Sequence, residues 1–299
     1  MLLDTNESKT SSLYYVPLML TESLLPYRGQ HTHFTRKYQD THITIQGGAD
    51  DTGPLPLPSG VLGRRLLFHF ITEAWLKRSS KIKIAGTQTI LRDLNIKPSN
   101  AQRKALKKQI YYLSQMTIRV KKHFTLKSDQ YEAYKGENIR VLKGLQIYNT
   151  DHPTQLTLFD SWIEFSPEFY ELLLQLRKKH PPIAKEPVWK LTGALQMDLY
   201  CFLQRRLQNI ELSFSNTGFT LTWEALYEQF GRGERPQDFR KMIKSALKKV
   251  VPVIKTHRAK FADNTPVRVI KSGLRLYHIP RQVEEVSRDR AGRVRNKTI

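Results

Sequence analysis

Ser99-Asn-Ala-Gln-Arg-Lys-Ala-Leu-Lys-Lys-Gln-Ile-Tyr-Tyr-Leu-Ser-Gln-Met116 is the stretch whose reading decides the fold. Leu106, Ile110 and Leu113 recur at helical spacing and make one apolar stripe. Lys104, Lys107, Lys108 and Tyr111 fall on the opposite side, with Asn100 at the N-terminal end and Arg103 a turn later. Ser99 follows Pro98 and is placed to cap the helix. Two readings compete. One is a surface helix whose lysines are merely solvated. The other is a recognition helix, with core on one side and cations for phosphates or bases on the other. The flanking sequence decides between them.

The chain has 299 residues, enough for about two ordinary domains. Its 39% hydrophobic content suffices for packed cores. Charge is the dominant signal: 49 Lys and Arg against 27 Asp and Glu, a formal net charge of +22. Such an excess repels itself and favours an acidic polymer as partner. Nucleic acid comes first and a membrane surface second. No apolar run of spanning length and no signal-peptide layout is found, so no membrane association is expected. Cys201 is the single cysteine, which excludes an intrachain disulfide and fits a reducing, cytoplasmic setting. It lies in an apolar helical run and reads as a small buried hydrophobe.

Outward from the basic helix, the pattern is regular. Residues 61–77 (VLGRRLLFHFITEAWLK) read as a mostly buried helix, and 81–85 (KIKIA) alternate like a strand. Residues 87–96 read as a short helix capped by Thr87, and 97–99 as a turn before the basic helix. Residues 117–124 and 141–148 read as two strands with polar 127–138 between them. Helix, strand, helix, turn, basic helix and two-stranded flap is the order of a winged-helix module.

The order recurs. Residues 163–165 read as a strand and 168–176 as a helix, followed by a proline-stiffened connector at 180–187. Residues 194–208 form an apolar amphipathic helix, 219–221 a short strand, and 222–230 a short helix capped by Thr222. After the turn at 231–235 comes a second basic helix at 236–251. Phe239, Ile243, Ala246, Leu247 and Val250 form its apolar side. Gln237, Lys241, Lys244 and Lys248 take the other, flanked by Arg235 and Arg240. Residues 267–271 and 274–279 pair around Ser272-Gly273, a two-residue hairpin signal. Arg103-Lys-Ala-Leu-Lys-Lys108 echoes Lys244-Ser-Ala-Leu-Lys-Lys249 in matched context, which points to a tandem DNA-binding pair. The expected fold is α+β, two tandem winged-helix domains with an extended N-terminal segment. That divides the chain into an extension at 1–60, a first domain at 61–150 and a connector at 151–193. A second domain follows at 194–281, then a disordered basic tail at 282–299.

On a groove-facing helix, lysine and arginine neutralise phosphates and release counterions. Arg240 and Lys244 are long enough to reach guanine, and Asn100 or Gln237 can pair with adenine. The flaps add Lys121 and Lys122 in the first domain and Arg258 and Lys260 in the second.

Ser59-Gly-Val-Leu-Gly-Arg-Arg-Leu-Leu67 followed by Thr72-Glu-Ala74 resembles the first-domain helix of plasmid-encoded RepA-type replication initiators. Ile163-Glu-Phe-Ser-Pro-Glu-Phe-Tyr170 and Leu195-Gln-Met-Asp-Leu-Tyr-Cys-Phe-Leu203 resemble the start of that family's second domain, and Asp40-Thr-His42 a segment upstream of the first helix. The resemblance spans residues 25–280. It departs at Ser59, where the family carries an aromatic, at Gly63, where it carries a proline, and at Ile183-Ala184, where it is more polar. It implies tandem winged helices that bind direct repeats of double-stranded DNA at an origin and recruit host replication proteins. Gln155-Leu-Thr-Leu-Phe159 resembles the peptide by which bacterial proteins dock on the sliding clamp. Gln155 would hydrogen-bond, and Leu156, Leu158 and Phe159 would anchor in a groove. Alternatively, these apolar side chains pack between the domains. A monomer–dimer equilibrium stays open.

No Gly-rich turn ending in Gly-Lys-Ser/Thr is present, so an ATP-driven initiator is not expected. A rolling-circle nickase needs paired histidines holding a metal beside a tyrosine; His31-Thr-His33 is the only close pair, without a strand pattern around it. Nine scattered histidines and one cysteine do not make a zinc site. No enzyme activity, metal or cofactor is expected. A winged-helix transcriptional repressor is the main alternative: direct repeats favour the initiator, a lone palindrome the repressor.

Overall fold

The structure, a computed structural model, describes residues 12–15, 25–27, 31–38, 41–84, 86–125, 132–146, 161–177, 182–210, 217–257, 266–277, 286–288 and 294–296. Its first three strands belong to sheets completed much later in the chain. β1 (Leu13–Tyr14) pairs with residues 183–184. β2 (His33–Tyr38) and β3 (Thr41–Gln46) form a hairpin. β4 (Ala49–Asp50) and β5 (Gly53–Pro54) enclose a tight turn.

α1 (Gly60–Lys77) starts one residue earlier than the pattern predicts. The side chain of Ser59 makes no cap bond there; instead its backbone N–H donates to Gln109 Oε1 at 2.9 Å. A Cβ on Gly63 would sit 2.7 Å from that same oxygen, so glycine leaves room for the capping amide. β6 (Lys81–Ile84), α2 (Thr87–Asp93) and α3 (Asn100–Gln115) follow. Thr87 is the first helical residue of α2 and not its cap, and Gly86 takes the cap position. The helix stops short of Ile96 because Asn95 turns left-handed, at φ 54°. Ser99 caps α3 by accepting from the Gln102 N–H at 3.2 Å.

The first flap is built differently from its predicted form. β7 (Thr117–Thr125) pairs with β8 (Glu132–Arg140), so most of the stretch read as a polar connection is strand. β9 (Leu142–Gln146) leaves this hairpin and pairs with β10 (Ser161–Phe165), which also pairs with β6. Residues 163–165, expected to open the second half, are therefore the centre of the first sheet, ordered β6-β10-β9. β8 carries few apolar residues and shows no clean alternation; only its pairing partner makes it a strand. β2 and β3 extend the hairpin into a four-stranded sheet ordered β2-β3-β7-β8. α4 (Pro167–Arg177) follows β10.

The second half repeats the plan. It runs through β11 (Ile183–Ala184), α5 (Lys185–Lys190), α6 (Ala194–Asn209), β12 (Phe219–Thr222), α7 (Trp223–Phe230) and α8 (Pro236–His257). β13 (Val267–Ile270) and β14 (Gly273–Leu276) complete a sheet ordered β12-β14-β13, the same first-last-middle order as β6-β10-β9. Thr222 caps α7, accepting from the Ala225 N–H at 3.2 Å. α8 runs six residues beyond its predicted end, through Pro252. An interior proline costs about 3 kcal/mol, but Ile254 continues the apolar stripe beyond it and is fully buried. The two-residue turn of the last hairpin is Lys271-Ser272, since Ile270 pairs with Gly273. Gly273 lies in the strand, where a Cβ would meet Leu221 O at 2.0 Å. In the tail expected to be disordered, β15 (Val286–Arg288) and β16 (Val294–Asn296) form a short antiparallel pair, with a valine in each strand.

The architecture is α+β, and one continuous apolar cluster runs through both halves. α1 and α6 meet at its centre. Arg64 and Asp198, each the fifth residue of its helix, form a two-pronged ion pair with both N···O distances 2.7 Å. Their side chains are 2% and 3% exposed. Arg64 also donates to the carbonyls of Leu25, Pro26 and Gly60, and Arg65 to those of Leu94, Trp189 and Leu191.

His69 is buried on α1, and its imidazole is pushed down to about 4. Burial is the main cause; Lys185 and Lys77 push the same way, and Glu73 opposes them. The unfolded chain takes up this proton near pH 6.5, and the folded chain only near 4. The neutral imidazole's contribution is therefore complete above 6.5 and is lost as pH falls towards 4. Urea midpoints of the wild type should drop between pH 7 and pH 4.5, and His69→Gln should drop less over that interval. Equal drops in both proteins would remove His69 as a source.

Candidate nucleic-acid interface

α3 and α8 owe their position to their apolar stripes. Leu106, Ile110 and Leu113 are buried on α3, and Phe239, Ile243, Leu247, Val250 and Ile254 on α8. The stripes anchor each helix and leave its cations outward. On α3, Asn100, Lys104, Lys108 and Tyr111 are exposed, and Arg103 and Lys107 are half-buried. Arg103 donates to Asn100 Oδ1, which orders the start of the helix. The Tyr111 hydroxyl donates to Asp50 Oδ2 at 3.1 Å, tying the β4–β5 turn to this helix. That bond raises the Tyr111 phenol, while the Thr52 hydroxyl and backbone N–H, ahead of Tyr111, hold Asp50 below the usual carboxylate range.

Gln237, Arg240, Lys241, Lys244 and Lys248 on α8, and Arg235 just before it, are all exposed. Arg235 pairs with Asp238 at 2.8 Å. Arg240 and Lys244 come together over the indole of Trp223, each 5.8 Å from the ring centroid. Trp223 is only 4% exposed; its ring N–H donates to Lys271 O at 3.1 Å and its backbone N–H to Ser272 O at 3.0 Å. One aromatic ring thus joins the hairpin turn to two cations of the basic helix. In the sequence Trp223 reads only as core, since nothing local announces the cations above it.

Lys121 is exposed on β7, and Lys122 is paired by its backbone opposite Thr41 and Lys135. Arg258, Lys260 and the whole of Gln155–Phe159 lie outside the described residues. Arg119 and Arg140, exposed on β7 and β8, and Lys249, exposed on α8, add cations that the helical period alone does not mark. Cys201 is buried, and burial raises its thiol to about 12, so it presents no thiolate. Among the described residues no cluster of His, Cys, Asp and Glu could hold a metal ion, and no helix is long and apolar enough to cross a membrane.

The duplicated order of helices and sheets, joined through α1 and α6, has a counterpart among solved structures. This chain shares its fold with domains 2 and 3 of RctB. A crystal structure of selenomethionine derivatives of those domains superposes with a TM-score of 0.53, at 15% identity, over 77% of this chain and 82% of the RctB chain. A second crystal structure of RctB domains 2–3 gives 0.52, at the same identity and coverage. Coverage of 77% is more than either half alone could supply, so the RctB likeness includes both halves. At 15% identity RctB speaks for the fold and transfers no individual residue. No family model and no curated protein matches the sequence.

Proposed function

We propose that the chain is a sequence-specific double-stranded DNA-binding protein that initiates replication, with two winged-helix modules carrying α3 and α8 as recognition helices. The observation that carries this reading is the recurrence, within one +22 chain, of helix–strand–helix–basic helix in front of a sheet of first-last-middle order. Each basic helix buries its apolar stripe and exposes most of its cations, Arg103 and Lys107 of α3 being half-buried. Similarity to RctB, a replication initiator, supports the same reading at the level of the fold. Two modules on one chain suit adjacent major grooves about one helical turn apart, hence direct repeats. The RepA-type resemblance supplies the finer proposal: a plasmid origin, recruitment of host replication proteins, and a cytoplasmic, non-enzymatic role.

Footprinting with the purified chain on the DNA flanking its coding region tests this. Protection of tandem direct repeats is the expected result. Protection of a lone palindrome over a promoter would replace the initiator with the repressor. For the sliding clamp, Leu158→Ala with Phe159→Ala should abolish clamp binding and leave the unfolding midpoint in place. A lowered midpoint with unchanged clamp binding would assign those side chains to packing.

A further inference from the structure

The two halves are also joined away from Arg64 and Asp198, at the turn that precedes α8. Arg232 lies in that turn and is half-buried. Its guanidinium carbon is 3.4 Å from the centroid of the Tyr27 ring and 4.9 Å from that of Phe34 on β2. Its Nη2 donates to Leu25 O at 3.4 Å, a carbonyl that also accepts from Arg64 Nη2 at 2.6 Å. A cation of the second half is therefore spent on two rings and a carbonyl of the N-terminal segment.

The turn itself is braced. The Gly231 N–H donates to Tyr227 O and the Arg232 N–H to Glu234 Oε2, both at 2.7 Å. The Tyr227 hydroxyl donates to Glu234 O at 2.8 Å, and its ring meets Phe239 of α8 edge-on at 5.0 Å. Gly233 turns left-handed, at φ 86°, a conformation that glycine adopts without strain. A shift of Arg232 is passed through this turn to the start of α8 at Pro236. The other end of the contact is tied to α3. Phe34 lies on β2, β2 pairs with β3, and β3 pairs with β7. β7 starts at Thr117, just after α3 ends at Gln115. A guanidinium stacked on aromatic rings has a defined orientation, which a sliding apolar contact lacks.

We infer that Arg232 is a positioning residue for DNA binding: its contact with Tyr27 and Phe34 fixes α8 relative to α3, and so fixes the groove spacing that the chain accepts. This rests on the DNA-binding reading above. Arg232 meets no phosphate in this role. Through Tyr27 and Phe34 the N-terminal extension takes part in choosing the target.

The test uses the full chain and the duplex its footprint defines, with and without one base pair inserted between the two protected grooves. The insertion moves the grooves apart by about 3.4 Å and rotates them by about a tenth of a turn. The wild type should bind the longer duplex about 10–100-fold more weakly, as when base contacts are lost. Arg232→Ala should lose most of that discrimination, and should bind the original duplex about 10-fold more weakly, the scale of one desolvated cation–π contact. Its slope of log K against log salt should match the wild type, since no phosphate contact is removed. Arg232→Lys should keep part of the discrimination, because an ammonium retains the charge without the planar stack. Full discrimination in Arg232→Ala, whatever its unfolding midpoint, makes the contact merely structural and overturns the inference. A slope shallower by about 0.9 assigns Arg232 to a phosphate and also overturns it. If Arg232→Ala fails to fold, Phe34→Leu removes one ring, keeps the cation and should lose discrimination in the same direction; full discrimination there overturns the inference. A wild type that binds both duplexes equally overturns it and spares the DNA-binding reading. Failure of the wild type to bind any duplex removes the DNA-binding reading, and this inference with it.

Discussion

Asp198→Ala is expected to lower the unfolding free energy by about 3–5 kcal/mol, the usual cost of removing one partner of a buried ion pair. Arg64 would keep its charge at 2% exposure, with the carbonyls of Leu25, Pro26 and Gly60 and the Tyr27 ring, 5.4 Å away, as its remaining partners among the described residues. Those carbonyls are partial charges and do not neutralise a guanidinium. Asp198→Asn should cost less, since an amide oxygen can still accept one of the two bonds. Arg64→Met with Asp198→Leu should recover much of the loss, because two apolar side chains need no partner. Urea denaturation of the four proteins at pH 7 measures this. If Asp198→Ala unfolds at the wild-type urea concentration, the ion pair does not hold α1 to α6. The double variant separates two roles of the pair. If it regains stability yet binds DNA poorly, the bidentate geometry sets the angle between the halves as well as holding them.

The second large effect concerns binding. Replacing Arg240, Lys241, Lys244 and Lys248 with alanine removes four exposed cations from one helix face without touching its apolar stripe. If all four meet phosphates, the salt slope should fall by about 3.6, and affinity at moderate salt should drop more than 100-fold. Alanine favours helix slightly, while Trp223 loses the two cations above it, so the unfolding midpoint should move little. Binding isotherms between 0.05 and 0.3 M salt give the slope, and thermal denaturation gives the control. A full-affinity variant would show that α8 is a solvated surface helix. Single substitutions refine the picture. A lysine held against phosphate weakens binding on all sequences alike. Loss of Arg240 or Lys244, if either reaches a base, relaxes preference at one position.

How much was legible beforehand follows from the range of each signal. The basic helices, their buried stripes and the caps at Ser99 and Thr222 depend on residues within a turn or two of one another. Both helices start where the period placed them. The shared Lys/Arg-rich echo is equally local, and Leu106 and Leu247, its common residue, are both buried. Thr87 shows the limit of a local signal, because a threonine before an apolar turn can stand either at the cap or inside it. Only the backbone at Gly86 settles which.

The sequence by itself determined the excess of positive charge, the two amphipathic rods that display it and the order of most elements. Each follows from side-chain chemistry and the 3.6-residue period, which need no distant partner. Tertiary structure alone decided that polar residues 132–140 form a strand, that residues 161–165 sit at the centre of the first sheet, and that α8 continues through Pro252. It also decided that Arg64 meets Asp198 across 134 residues and that Trp223 lies beneath Arg240 and Lys244. Strand pairing, buried charge and ring contacts draw their energy from groups far apart in the chain. Their partners can be named only once the chain has folded.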